Sequence, residues 1–374
     1  MCVRSFALSI LLAALAVSEL HAEPPHIGKM RRVADLSYSP GALVVDDRNE
    51  RIFVTLHPLR KAPARLAEIV GKNSMVPWPN PHWNGASGDG PNVLVSPTAL
   101  ALDSNGTLFV VDSGLRHGAD THDHPPKVIG FDTVSGEVVF RHDFDPPVAR
   151  PGDRPAGIAL DEKRRTLYIT DAGGTSDPGL IVLDMDRQSA RRITGHRAFY
   201  PGKETTEIGG KPLGILSPSG ERKPVRIGVD PIALSAWGEK LFIGPLTGEN
   251  WYEIPTDLLR SDAPDEEIHQ SIRAIGKKPH ADAAAIGPTG HHFFTDLENN
   301  GIAMLRPDPE EPLLVTSGDH LQWPADLDFG PEGWLYFTVS ELHRAPAYHA
   351  GEDRGRPPYH IYKVWTLPRN QTTE

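Results

Sequence analysis

Along this chain an apolar run, a polar turn and a second apolar run recur six times, and the second run carries an aromatic residue at its second position each time: Phe53, Phe109, Tyr168, Phe242, Phe293 and Tyr336. The copies read GALVVDDRNERIFV, TALALDSNGTLFVVDSG, AGIALDEKRRTLYITDAG, DPIALSAWGEKLFIG, ADAAAIGPTGHHFFTD and ADLDFGPEGWLYFTV. Each predicts a β-hairpin. In TALALD/TLFVVD both parities are apolar, with Leu100, Leu102 and Leu108 on one and Ala99, Ala101 and Phe109 on the other. A strand apolar on both faces is buried on both, as stacked sheets require.

The hairpin turns at Asp46, Asp103, Asp161, Ser235, Gly287 and Gly330 are separated by 57, 58, 74, 52 and 43 residues. A four-stranded propeller blade takes about 40–50 residues, so these intervals are blades with loop insertions. The expected fold is all-β, a single six-bladed β-propeller over residues 23–374. The final run YHIYKVW, from Tyr359, is expected to pair with HIGKMRRV, from His26, closing the ring and removing open sheet edges. The six aromatics are expected to fill the gaps between blades.

Residues 1–22 have a short segment with Arg4, an apolar stretch from Phe6 to Val17 and a polar end at Ala22. This is the pattern of a secretory signal cut after Ala22, and it predicts a secreted or periplasmic protein. No later stretch approaches the roughly 20 apolar residues of a spanning helix, so no membrane insertion is expected. Cys2, the only cysteine, lies within the signal, which removes disulfides and thiolate chemistry from the mature chain. A net charge of -11 argues against nucleic acid as partner and favours a neutral or cationic small molecule. A monomer is expected.

In a hairpin whose first strand leaves one rim, the start of that strand and the end of the second return to the same rim. Asp230, Asp282 and Asp326 stand at starts, with His280 beside them, and Asp112, Asp171 and Asp296 stand at ends. Together they form a candidate ligand-binding set at one channel mouth, able to attract an amine or to hold a divalent cation such as calcium. Asp112 and Asp171 also suit capping of the Asp-Ser-Gly and Asp-Ala-Gly turns that follow them. His280 suits either proton transfer or a hydrogen-bonded structural role. The loop RHGADTHDH offers His117, His122, Asp123 and His124 either as metal ligands or as a solvated loop. WPNPHWNG, from Trp78, is either a lid over the channel or a loop packed on the rim. No G-x-S-x-G elbow, H-E-x-x-H pair or phosphate-binding glycine loop is present, which disfavours serine hydrolases, zincins and nucleotide enzymes.

VPWPNPHWN, LFVVDSG, PPKVIGFDTVSGEVV, LYITDAG, GLIVLDMD, GVDPIALSAWGEKLFIGPLTGENWYEIPTDLL and QWPADLDFGPEGWLYFTVSELHR resemble the major royal jelly and yellow proteins, in a bacterial form. The resemblance covers nearly all of the mature chain. It implies a secreted six-bladed propeller, and it leaves function open among nutritive, pigmentation and amine-binding roles. Small-ligand binding at the channel mouth is the leading expectation. A metal-dependent lactonase of the gluconolactonase type and a non-catalytic interaction scaffold are the alternatives, and whether the chain is an enzyme stays undecided.

Overall fold

The computed structural model describes residues 27–85, 90–116, 124–150, 152–173, 177–217, 219–306 and 311–367. Six four-stranded antiparallel sheets form a six-bladed β-propeller. The inner strands are Pro40–Asp46, Pro97–Leu102, Pro155–Asp161, Val229–Leu234, Ala284–Ile286 and Pro324–Phe329, in blades 1 to 6 respectively. Blade 6 is completed by the chain's beginning, since Met30–Leu36 pairs with Tyr359–Trp365, from Met30 opposite Val364 to Leu36 opposite Tyr359. That is the expected closure of the ring.

Each repeat aromatic is buried in a cluster shared with the following blade, where it removes a large apolar area from water. Phe53 packs with Leu100, Val110 and Phe131, and Phe109 with Leu167, Ile169 and Ile181. Tyr168 meets Ile232 and Ile243, Phe242 meets Phe294, and Phe293 meets Leu327 and Phe337. Tyr336 returns the series to blade 1 through Val45, Ile52 and Val54. Trp78 and Trp83 of the WPNPHWNG segment belong to the first of these interfaces, with Trp78 4.8 Å from Phe53 and Trp83 5.1 Å from Phe131. The segment is therefore rim packing between blades 1 and 2, not a lid.

The longest interval between hairpin turns contains an insertion after blade 3 with two small hairpins, Glu207–Ile208 with Lys211–Pro212 and Gly214–Leu216 with Arg222–Pro224. Ile208 and Leu213 from it join Leu246, Leu297, Trp323, Leu342, Ala345 and Tyr348 in a further apolar cluster. A bridge between Leu216 and His349 ties the insertion to the connection between Trp334–Val339 and Tyr359–Trp365 of blade 6. Arg60 anchors that segment by donating to the carbonyls of Ser340 at 3.1 Å and Glu341 at 3.0 Å while pairing with Asp353 at 3.0 Å. Among the described residues no helix is long and apolar enough to cross a membrane.

Candidate functional site at the channel

The inner strands have an irregularity that shapes the channel wall. In blades 1, 3, 4 and 6 the register with the second strand shifts near the inner strand's start, between Pro40 and Leu43, Pro155 and Ile158, Val229 and Ile232, and Pro324 and Leu327. A bulge leaves a backbone N–H outside the ladder, and a buried N–H needs an acceptor. The acceptor is a threonine two residues beyond the repeat aromatic. Thr55 Oγ1 takes the N–H of Ala42 at 2.9 Å, Thr170 that of Gly157 at 2.9 Å, Thr338 that of Asp326 at 3.2 Å, and in blade 5 Thr295 those of Asp282 and Ala283 at 2.9 and 3.0 Å. The same hydroxyls reach across blades, Thr170 donating to the Asp230 carbonyl and Thr338 to that of Gly41, each at 2.8 Å. This threonine recurs visibly in the sequence, yet only the bulge explains it.

All six inner strands surround a cavity of about 690 Å³. Asp230, Asp282 and Asp326 line it near the strand starts, with His57 and Thr98, while Asp47, Arg48, Asp103 and Glu162 line the hairpin-turn end. The three aspartates are partly exposed, and what they face is the channel. Enclosure by the walls makes ionisation costly, and neighbouring carboxylates add repulsion. Burial thus pushes Asp282 up to about 7 and Asp326 up to about 8. Asp230 is raised well above the ordinary carboxylate range, first by burial and then by Asp282 and Asp326, with Lys278 opposing.

Their partners differ. Asp326 accepts the N–H of Leu43, in the adjoining blade, at 2.7 Å and that of Leu327 at 2.9 Å. Asp328, also in the lining and raised to about 6 by burial, accepts the Val45 N–H at 2.8 Å. These two carboxylates stitch blade 6 to blade 1. Asp282 accepts the indole N–H of Trp323 at 2.6 Å. Trp323 is held at φ 55, a left-handed conformation that is strained for a bulky residue, and its ring is parallel to that of His343 at 6.2 Å and lies 6.0 Å from Tyr348.

Asp112, Asp171, Asp296 and His280 are not brought into this lining. Asp112 is fully buried, accepts the N–H groups of Val95 and Ser96 at 2.9 and 2.7 Å, and pairs with buried Lys127 at 2.9 Å. Asp171 accepts from Arg154 N–H and Gly173 N–H, each at 2.9 Å, and pairs with Arg192 at 2.8 Å. Asp296 caps the Asn299 N–H at 3.0 Å. The reason is one of distance. Asp112 and Asp171 lie opposite Pro97 and Pro155, one strand further from the axis, beside the N–H groups of the loop entering the blade. His280 shares a 2.8 Å hydrogen bond with Thr206 Oγ1 under the insertion, and burial lowers its pKa. His117, His122 and Asp123 lie outside the described residues, as does the signal segment.

A divalent cation does not fit this donor set. Among the described residues no group of three or more His, Cys, Asp or Glu side chains is arranged to hold a metal ion. Asp326 spends its oxygens on backbone N–H groups, and Asp282 gives one to Trp323.

The family model for major royal jelly proteins matches residues 95–350, most of the propeller. The chain belongs to the major royal jelly protein family. Major royal jelly protein 1 of Apis mellifera is 26% identical over 265 residues, covering 67% of this chain and 58% of that protein. Major royal jelly protein 3 of the same organism is 26% identical over 280 residues, covering 69% of this chain and 47% of that protein. The chain thus spans about half the length of these curated relatives. Among solved structures, a luciferin-regenerating enzyme superposes with a TM-score of 0.55 at 13% identity, covering 91% of this chain and 95% of that one. A putative gluconolactonase gives 0.54 at 14%, covering 93% and 94%, and the calcium-binding protein regucalcin of Agrobacterium tumefaciens gives 0.53 at 11%, covering 91% and 96%. At these identities the likeness is one of fold.

Proposed function

We propose that this chain is an exported binding protein that holds a small organic cation, an amine or a catecholamine-like compound, in its channel through Asp230, Asp282 and Asp326. The observation that carries the reading is the placement of Asp230, Asp282 and Asp326 at one end of a 690 Å³ cavity, where burial first and the neighbouring acids second raise Asp230 above the ordinary range. A cation placed among them offsets both the repulsion and the lost hydration. The apolar wall, with Leu100, Ile158, Ile232 and Phe329, suits an organic body attached to the charge. Export rests on the pattern of residues 1–22.

Calorimetry with dopamine, serotonin and related amines tests this. Amine binding needs ionised carboxylates, so affinity should rise between pH 6 and pH 8, with protons released into the buffer. Asp282→Asn should weaken binding by about tenfold, the equivalent of one pKa unit. Absence of heat for every amine, with Asp282→Asn matching the parent chain, would overturn the reading.

A further inference from the structure

The bulge that presents Asp230 in blade 4 is built differently from those of blades 1, 3 and 6. Val229 pairs with Pro245 and Ile232 with Ile243, so Gly244 stands opposite the Asp230–Pro231 bulge. Gly244 occupies the place that Thr55, Thr170, Thr295 and Thr338 take in blades 1, 3, 5 and 6, two residues past the aromatic. The threonine is dispensable here because Pro231, at the position of Ala42 and Gly157, has no N–H to satisfy. What fills the vacated space is Lys278: a Cβ on Gly244 would lie 2.5 Å from its Cε. The lysine is 2% exposed, and its ammonium donates to the carbonyls of Gly248 at 2.7 Å and Pro279 at 3.0 Å. Apolar filling would have needed no ammonium. Burying one costs free energy unless a charge nearby repays it, so its placement calls for an electrostatic account.

We infer that Lys278 is a positioning residue for the channel site, a tethered ammonium set behind Asp230 that fixes the charge this acid presents to a cation. The inference rests on the amine-binding reading of the same site. The charged groups facing this ammonium are Asp230 and Glu249, with His280 adjacent, while Asp230 itself also meets Asp282, Asp326 and Asp171. Burial lowers Lys278 to about 7, with Asp230 and Glu249 opposing. Pro231, Gly244 and Lys278 fit one another, since a side chain at 244 would clash with the lysine and Pro231 has no N–H for a threonine to satisfy.

The test is Lys278→Met in the full chain. The titration of Asp230, followed by carboxylate carbon NMR without ligand, should move up by about one pH unit, and the pH at which dopamine affinity rises should move up with it. Lys277→Met, in the exposed neighbour, should change neither. Should Lys278→Met fail to fold, Pro231→Ala, Gly244→Thr and Lys278→Met together restore the arrangement of the sister blades and should show the same two shifts. An Asp230 titration and a dopamine pH profile that both stay where they are in the parent chain would overturn the role of Lys278. If the parent chain binds no amine, the functional proposal fails alone, and the ligand-free titration still decides for or against Lys278.

Discussion

Two sets of aspartates sit one strand apart at the same end of the propeller, and they differ in what they face. Asp112, Asp171 and Asp296 end second strands and are consumed by the fold, accepting the backbone N–H groups of Val95 and Ser96, of Arg154 and Gly173, and of Asn299 respectively. Asp230, Asp282 and Asp326 belong to the chain entering or forming the inner strands, and they line the channel at the expense of their own ionisation. The difference follows from the width of a strand. One step from the axis, Asp112 and Asp171 find loop N–H groups and a cation, whereas Asp230 on the channel wall meets Asp282 and Asp326.

The comparison breaks most visibly at Asp112. Removing it leaves the Lys127 ammonium fully buried beside unpaired N–H groups of Val95 and Ser96. Asp112→Ala should therefore cost ~3–5 kcal/mol of stability in urea unfolding, the usual penalty for breaking a buried pair from one side. A loss no larger than that of an exposed substitution would place Asp112 with the channel acids instead.

A second contrast appears with pH. A carboxylate whose folded pKa is raised holds a proton in the native state that the unfolded chain has already lost, so its contribution falls as pH rises from the unfolded value near 4 through the folded one. For Asp282 that window ends at about 7 and for Asp326 at about 8. Lys278, lowered to about 7, works in the opposite sense and adds stability as pH rises from there toward its ordinary 10.5. Melting temperatures between pH 4 and pH 7 should thus decline less steeply in Asp282→Asn than in the parent chain. A slope identical to the parent's would show that Asp282 titrates normally.

The hairpin count, the aromatic fillers and the closing strand pair were legible because they follow from alternation and spacing, which the backbone enforces in every copy. The channel end of Asp230, Asp282 and Asp326 was legible for the same reason. Asp112 and Asp171 misled because start and end of a hairpin share a rim but not a distance from the axis, and hairpin geometry alone does not separate the two. Lys278, Trp323 and Tyr348 stand outside the repeat, in connections whose path depends on the insertion and on the Arg60 anchor. The recurring threonine was in plain view, and its role needed the bulge.

That threonine offers the finest test of how the two sets differ, because it holds the backbone of the channel acids while leaving the rim acids untouched. Thr338 Oγ1 accepts the Asp326 N–H and donates to the Gly41 carbonyl, so it acts within blade 6 and across the seam to blade 1. Thr338→Val keeps the shape and removes both bonds, leaving a buried N–H and a buried carbonyl short of partners. A cost of ~1–3 kcal/mol is expected in urea unfolding. Thr55→Val, where the hydroxyl accepts the Ala42 N–H within its own blade, should cost less. Equal losses at the two positions would mean that the seam draws nothing from Thr338, and that Asp326 and Asp328, through the N–H groups of Leu43 and Val45, carry the closure of the channel wall on their own.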